Sequence, residues 1–141
     1  MKNTIIDSGP LIALFDKNDS YHDRVLSFLK SYDGKLITTW AVITEVTHML
    51  SFNLNIQIDF LKWVHLGGLE VVDITEKDLE KIINFMEKYT NVPMDLADGS
   101  LLVASQNLNI KDIVSIDSDY DIYRTIKKEA LRNLLLINDK K

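Results

Sequence analysis

The chain contains no cysteine. Disulfides and thiolate-held metals are therefore excluded, and nothing points to an oxidising compartment. Proline and glycine are scarce, two and five in 141 residues, which leaves no room for a flexible linker. No apolar run approaches the length needed to span a bilayer. The first residues lack the basic stretch and apolar core of a secretion signal, so a cytoplasmic protein without membrane attachment is expected. Positive charge is also short, with 16 basic residues against 21 acidic ones and a net charge of −5. That sign disfavours general affinity for nucleic acid, unless some acids surround a cation whose charge removes the repulsion of phosphate. A hydrophobic fraction of 46% without repeats or low-complexity segments suits one domain over residues 1–141 with a real core.

Several chemistries are missing as well. No Gly-rich loop is followed by Lys, which excludes a nucleotide-binding P-loop, and no Gly-x-Ser-x-Gly elbow exists. Asp7-Ser8-Gly9 lacks the second Asp of haloacid-dehalogenase-type phosphatases, and Asp7 has no acidic neighbour of the kind a receiver domain needs. His22, His48 and His65 form no pair at zinc-like spacing, although His48 shares a helix face with Glu45.

What is present begins with Thr4-Ile5-Ile6-Asp7, a β-branched run ending on a carboxylate. Ser8-Gly9-Pro10 then breaks the strand and a helical turn follows to Phe15. Ser20-Tyr21-His22-Asp23 resembles a capping box opening a helix on Val25, Phe28 and Leu29, stopped by Asp33-Gly34. Leu36–Thr39 reads as a strand. Ala41–Phe52 reads as a helix with Val42, Val46, Met49 and Leu50 inward, and Ile56–Leu66 as another, closed by Gly67-Gly68. Leu69–Ile74 reads as a strand. Thr75 to Asp78 starts a further helix through Tyr89, with Leu79, Ile82, Ile83 and Met86 inward. Asp95–Leu108 is the next helix, with Leu101, Ala104, Ser105 and Leu108 on one face. A strand, Ile113–Ile116, ends on Asp117; a helical stretch around Tyr123–Leu131 and a strand, Leu134–Ile137, complete the chain. Strands alternating with helices predict an α/β fold, a mainly parallel sheet of four to five strands with helices on both sides.

Five acids stand out from the solvated background. Asp7 and Asp117 each follow a short apolar strand, and so fall at the same edge of a parallel sheet, either as helix caps or as the floor of a site. Glu45 lies on the stripe its helix is expected to bury, where a carboxylate needs a cation or a salt bridge. Asp95 and Asp98 share a helix face beside Gly99; the helix dipole accounts for one cap, and the small residues Ala97, Gly99 and Ser100 suggest a close approach of something to that helix end. Asp119 and Asp121 read as turn formers, and Asp73, inside a strand before a capping Thr, is set aside as structural. Should Asp7, Glu45, Asp98 and Asp117 converge, they cannot all ionise without a counter-charge, and oxygen ligands alone describe Mg2+ or Mn2+. Four carboxylates around such an ion suit phosphoester hydrolysis.

Taken together, Ile5–Leu14, Thr38–Val46, Met94–Ala104 and Ile113–Asp117 resemble, in order and over nearly the whole chain, the four motifs of the PIN-domain nucleases, especially the small VapC-type toxin ribonucleases. The departures are Ser115 where Thr is more usual, Gly99 where Ala is commoner, and Asp95, an acid found in part of the family. The resemblance implies Asp7, Glu45 and Asp98 as ligands of Mg2+ or Mn2+, Asp117 completing the pocket, and either or both of Asp95 and Asp98 reaching it. It implies Ser8 near the scissile region, an RNA substrate, a homodimer, and an antitoxin partner that inserts a basic side chain into the acidic pocket. Arg24, Arg124, Lys127, Lys128 and Arg132 are the cations expected near an RNA backbone, Arg124 foremost. A metal-dependent endoribonuclease toxin is the leading reading. A housekeeping RNA-processing nuclease of the same fold and a catalytically inert PIN-like binding module are the alternatives.

Overall fold

The computed structural model describes residues 2–125 and 128–137. Its strands are β1 (Asn3–Ile6), β2 (Lys35–Thr39), β3 (Glu70–Val72), β4 (Asp112–Val114) and β5 (Arg132–Asn133). They form one sheet in the order β3-β2-β1-β4-β5, and every neighbouring pair is parallel. The flanking helices are α1 (Ser8–Phe15), α2 (His22–Ser31), α3 (Trp40–Met49), α4 (Leu54–His65), α5 (Leu79–Lys88) and α6 (Leu96–Leu108). The expected parallel α/β architecture is present, with five strands.

β1 is central because of its composition. Thr4, Ile5 and Ile6 are all fully buried, as a strand covered on both faces requires, and Ile5 sits in register with both Ile37 and Ile113. The strand order reverses between β1 and β4. At such a switch point the connections leave in opposite directions and open a crevice at the carboxyl ends of the strands. Asp7 lies on that edge, its backbone N–H donating to Val114 O at 3.0 Å.

α6 lies deepest among the helices, packing on α3, α5, β1 and β2. Its start is a reciprocal capping box: Asp95 Oδ1 accepts from the Asp98 N–H at 2.9 Å, and Asp98 Oδ2 from the Asp95 N–H at 3.3 Å. Both acids therefore cap the helix, where the sequence reading allowed for one. What approaches this helix end is also part of the protein. A Cβ on Gly99 would stand 2.7 Å from Ile82 Cγ2 of α5, so the glycine sets how closely the two helices pack. Gly99→Ala gains about 1 kcal/mol of helix propensity but overpacks a buried contact that costs about 1–3 kcal/mol. Net destabilisation is expected in thermal melts, turning into stabilisation in an Ile82→Ala background.

Several sequence expectations are corrected. α2 has no Ser20–Asp23 capping box; Asp19 makes the turn instead, its Oδ1 accepting from the Tyr21 N–H at 2.8 Å and its backbone carbonyl from the His22 N–H at 3.0 Å. The Thr75–Asp78 capping box does form. On α5 the inward residues are Ile82 and Phe85, while Leu79, Ile83 and Met86 face out; on α3 Ile43 is buried and Met49 exposed; on α6 Leu108 is exposed. β3 ends at Val72, so Asp73 follows the strand rather than lying in it.

The described residues of the stretch Tyr123–Leu131 are not helical. An isolated antiparallel bridge joins Arg124 to Ala130, Thr125 Oγ1 accepts from the Glu129 N–H at 3.1 Å, and Lys128 takes φ 62°. A hydroxyl bonded to nearby backbone offers the chain an alternative to the helix. Lys127, and the C-terminal residues Lys140 and Lys141, lie outside the described residues. The last strand is Arg132–Asn133, and Leu134–Ile137 forms one helical turn. Asn133 causes the switch: its Oδ1 accepts from the Ser115 and Leu135 N–H groups and its Nδ2 donates to Ser115 O at 3.0 Å, so a side chain replaces the next rung of the ladder.

Candidate active site

The first acid closes β1. Asp7 is buried; its Oδ2 accepts a hydrogen bond from Ser115 Oγ at 3.3 Å, and its Oδ1 is buried with no hydrogen-bond partner among the described residues. Burial pushes the Asp7 carboxyl up to about 7. The Ser8 backbone N–H works against this, the charges of Asp98 and Glu45 add to it, and the Ser115 hydroxyl lowers it again. A carboxyl that is desolvated, crowded by like charge and left with an unpaired oxygen is an expensive arrangement for a fold to keep.

The second motif delivers Glu45 from α3, whose first turn is capped by Thr39 Oγ1 accepting from the Val42 N–H at 3.4 Å. Glu45 is half-buried, not sunk in the core stripe as the sequence pattern suggested. Its carboxyl is raised by desolvation and by Asp95, and eased by a hydrogen bond with the Ser8 side chain. The same Thr39 hydroxyl lies 2.7 Å from Ser100 Oγ on α6, tying the second and third motifs together behind the acids.

Asp98 is half-buried in the first turn of α6. Burial and then Asp95 push it up to about 6, with Asp117 adding further; the hydrogen bonds from Tyr120 and the Asp95 backbone lower it. Asp117 follows β4 and is exposed; its Oδ1 accepts from the Asp119 N–H at 2.9 Å, so it caps a short turn as well as facing the crevice. Ser115 joins the two edges of the switch point, donating to Asp7 while accepting from the Asp117 N–H at 2.9 Å.

The structure thus brings Asp7, Glu45, Asp95, Asp98 and Asp117 into one electrostatic neighbourhood. Among the described residues, no group of three or more His, Cys, Asp or Glu side chains already stands in a metal-holding arrangement. Three of the expected cations are engaged by partners within the chain. Arg124 Nη1 donates to Asp121 O at 2.6 Å and Tyr123 O at 2.9 Å, Arg132 forms a two-pronged pair with Asp112 at 2.8 and 2.9 Å, and Arg24 donates to Leu135 O at 2.6 Å.

One residue of the site escaped the sequence reading. Tyr120 is almost fully buried, and its phenol donates to Asp98 Oδ1 at 2.9 Å. Burial and the neighbouring charges of Asp7 and Asp98 hold that phenol well above its usual range, so it stays a donor. The signal in the sequence was a lone aromatic in an otherwise polar turn, three residues beyond Asp117. Such partners orient ligating carboxylates, and removing one typically weakens metal binding about 10–100-fold. Tyr120→Phe is expected to raise the half-saturating Mn2+ concentration about 10-fold in a calorimetric titration, with little change in melting temperature.

In a five-stranded parallel α/β domain, acids gathered at the topological switch point stand where such sheets bind their ligands. Residues 4–128 match the PIN domain family, and the chain belongs to it. A curated relative, Ribonuclease VapC26 of Mycobacterium tuberculosis, is 21% identical over 115 residues, 80% of this chain and 85% of that one. Among solved structures, Mycobacterium tuberculosis VapC20, described as a sarcin-ricin-loop-cleaving toxin, superposes with a TM-score of 0.75 at 14% identity, over 84% of this chain and 92% of that one. The VapBC2 complex of Rickettsia felis, bound to a fragment of its promoter DNA, gives a TM-score of 0.63 at 14% identity, over 94% and 98% of the two chains. At these identities the structural likenesses establish the fold. No helix among the described residues is long and apolar enough to cross a membrane.

Proposed function

We propose that this chain is a divalent-metal-dependent endoribonuclease, the toxin of a toxin–antitoxin pair, acting in the cytoplasm as one domain over residues 1–141. The observation that carries the reading is the Asp7 carboxyl, with a buried oxygen unpartnered among the described residues at the switch point and the charges of Asp98 and Glu45 upon it. Membership of the PIN domain family and the ribonuclease and toxin names of its relatives support it.

The donor set is all oxygen and fits a hard cation; Asp7, Glu45 and Asp98 would hold Mg2+ or Mn2+, with Asp117 direct or through water and Asp95 in support. Bound there, the ion supplies charge neutralisation for the phosphodiester and a water of lowered pKa. The chain's own residues do the positioning. Ser115 holds Asp7 and the backbone of Asp117 together, Tyr120 fixes Asp98, and Ser8 stands beside Asp7 as a contact for the scissile region. Arg124 is a further substrate-contact candidate if its guanidinium leaves the carbonyls of its own turn.

An antitoxin that inserts a basic side chain among the acids would shut this site by charge compensation. A homodimer is proposed through the outward face of α5, where Leu79, Ile83 and Met86 are 43%, 51% and 43% exposed at helical spacing. Ile83→Glu is then expected to yield monomers in light scattering where the parent chain gives dimers. The reading is tested by incubating purified protein with total and transfer RNA in Mn2+ or Mg2+, and again with EDTA. Metal-dependent cleavage is expected; calorimetry that detects no divalent ion on the protein would overturn it.

A further inference from the structure

Resting on the ribonuclease reading above, we infer that the cavity beside the acids is a subsite for one unstacked base of the RNA, next to the scissile phosphate. The cavity measures about 470 Å3; its lining combines the acids Asp7, Asp19 and Asp117 with the apolar and aromatic side chains of Ile12, Tyr21, Met49 and Ile116. That volume falls within the roughly 300–1,000 Å3 of small-molecule sites. Met49 lies one turn beyond Glu45 on the same face of α3 and is 55% exposed, a large apolar side chain kept in solvent next to the acids.

The aromatic wall is held in place before any ligand arrives. Asp19 fixes the Tyr21 backbone, and His22 Nδ1 lies 2.7 Å from Ala13 O, anchoring the loop to α1. The Arg24 guanidinium stands 5.9 Å from the Tyr21 ring centre while bonded to Leu135 O. Charge selects the occupant. Asp7, Asp19 and Asp117 all line this cavity and repel a phosphate from it, whereas a nucleobase is neutral, flat and apolar on both faces. An RNA strand laid across the site therefore keeps its phosphate outside the cavity, at the cation that Asp7, Glu45 and Asp98 would hold, and turns a base toward Tyr21 and Met49.

The test is steady-state cleavage, by the full chain with Mn2+, of an oligonucleotide containing the cleaved site, with single abasic replacements walked along it. One position beside the scissile bond is expected to raise KM about 10-fold when its base is removed, the size of a lost stacking contact, with kcat little changed. Tyr21→Ala and Met49→Ala are each expected to raise KM 5- to 20-fold on intact RNA and to abolish the sensitivity to that abasic position. Tyr21→Phe and Met49→Leu retain the wild-type response. Metal-dependent cleavage with the same KM and the same abasic sensitivity in both alanine variants overturns the subsite and leaves the ribonuclease reading standing. Absence of any metal-dependent cleavage by the parent chain overturns both.

Discussion

Asp7→Asn is expected to abolish RNA cleavage, by at least about 1,000-fold, while the metal-free variant melts at a higher temperature than the parent chain. The two effects share one origin. The folded protein holds the Asp7 proton up to about pH 7, whereas the unfolded chain releases it near its ordinary 3.8. Between these values the folded state binds more protons than the unfolded one, so this carboxyl favours folding below pH 3.8 and that contribution is lost as pH rises toward 7. Moving that carboxyl from 3.8 to about 7 corresponds to about 4 kcal/mol, an upper figure because the side chains around a charged carboxylate relax. Asp98, pushed up to about 6, adds a slope of the same sign between about 4 and 6.

Asn at position 7 carries no charge to desolvate. The variant's melting temperature should then be flatter with pH and several degrees above the parent's at pH 7.5. Adding Mn2+ reverses the order, because a cation that binds only the folded parent stabilises it by mass action and finds no carboxylate at position 7 in the variant. Differential scanning calorimetry across pH 4–8, with and without Mn2+, reads all of this at once. A variant that melts lower than the parent at pH 7.5 without metal would show that Asp7 is not under the strain described.

Asn133→Leu is expected to destabilise the protein by about 3 kcal/mol, a fall of roughly 10 °C in melting temperature. The buried Asn133 side chain satisfies both the N–H and the C=O of Ser115, at 3.3 and 3.0 Å, as well as the Leu135 N–H at 3.2 Å. Leu is close in volume but offers no partner, so these backbone groups are left buried and unpaired, and the loss of each costs about 1–3 kcal/mol. The damage should also reach the site. Ser115 ties Asp7 to the backbone of Asp117, so a looser β4–β5 edge weakens Mn2+ binding measured by calorimetry well below the melting transition. Asn133→Asp, which keeps the acceptor but loses the donor and places another charge beside the acids, is expected to be at least as harmful.

The parts of this protein that were legible in its sequence are those decided by near neighbours in the chain. A β-branched run followed by Asp7 and a Gly-Pro break reads as a strand that ends on a carboxylate, because strand propensity, turn chemistry and helix entry all act within a few residues. The Thr75–Asp78 capping box is a local reciprocal bond, and it formed as expected. The alternation of strands and helices sufficed for a parallel sheet, since parallel neighbours require such crossovers, and the carboxyl edge of that sheet then places Asp7 and Asp117 together.

Tertiary structure alone decided the rest. Periodicity shows that α5 has an apolar stripe, but Leu79, Ile82, Ile83, Phe85 and Met86 span a wider arc than one packing partner covers, and only the position of α6 determines that Ile82 and Phe85 are the ones buried. Whether Glu45 is buried or half-exposed depended likewise on where α3 lies against α1 and α6. The Tyr120 bond to Asp98 spans 22 positions, the Ser115 bond to Asp7 spans 108, and the Asn133 clasp on Ser115 spans 18. No local pattern encodes contacts of that reach. By itself the sequence determined which acids end up at the sheet edge, because strand ends are local features. How those acids are desolvated, oriented and coupled to one another was decided only in the folded protein, because burial and through-space charge depend on distances that exist only once the chain has packed.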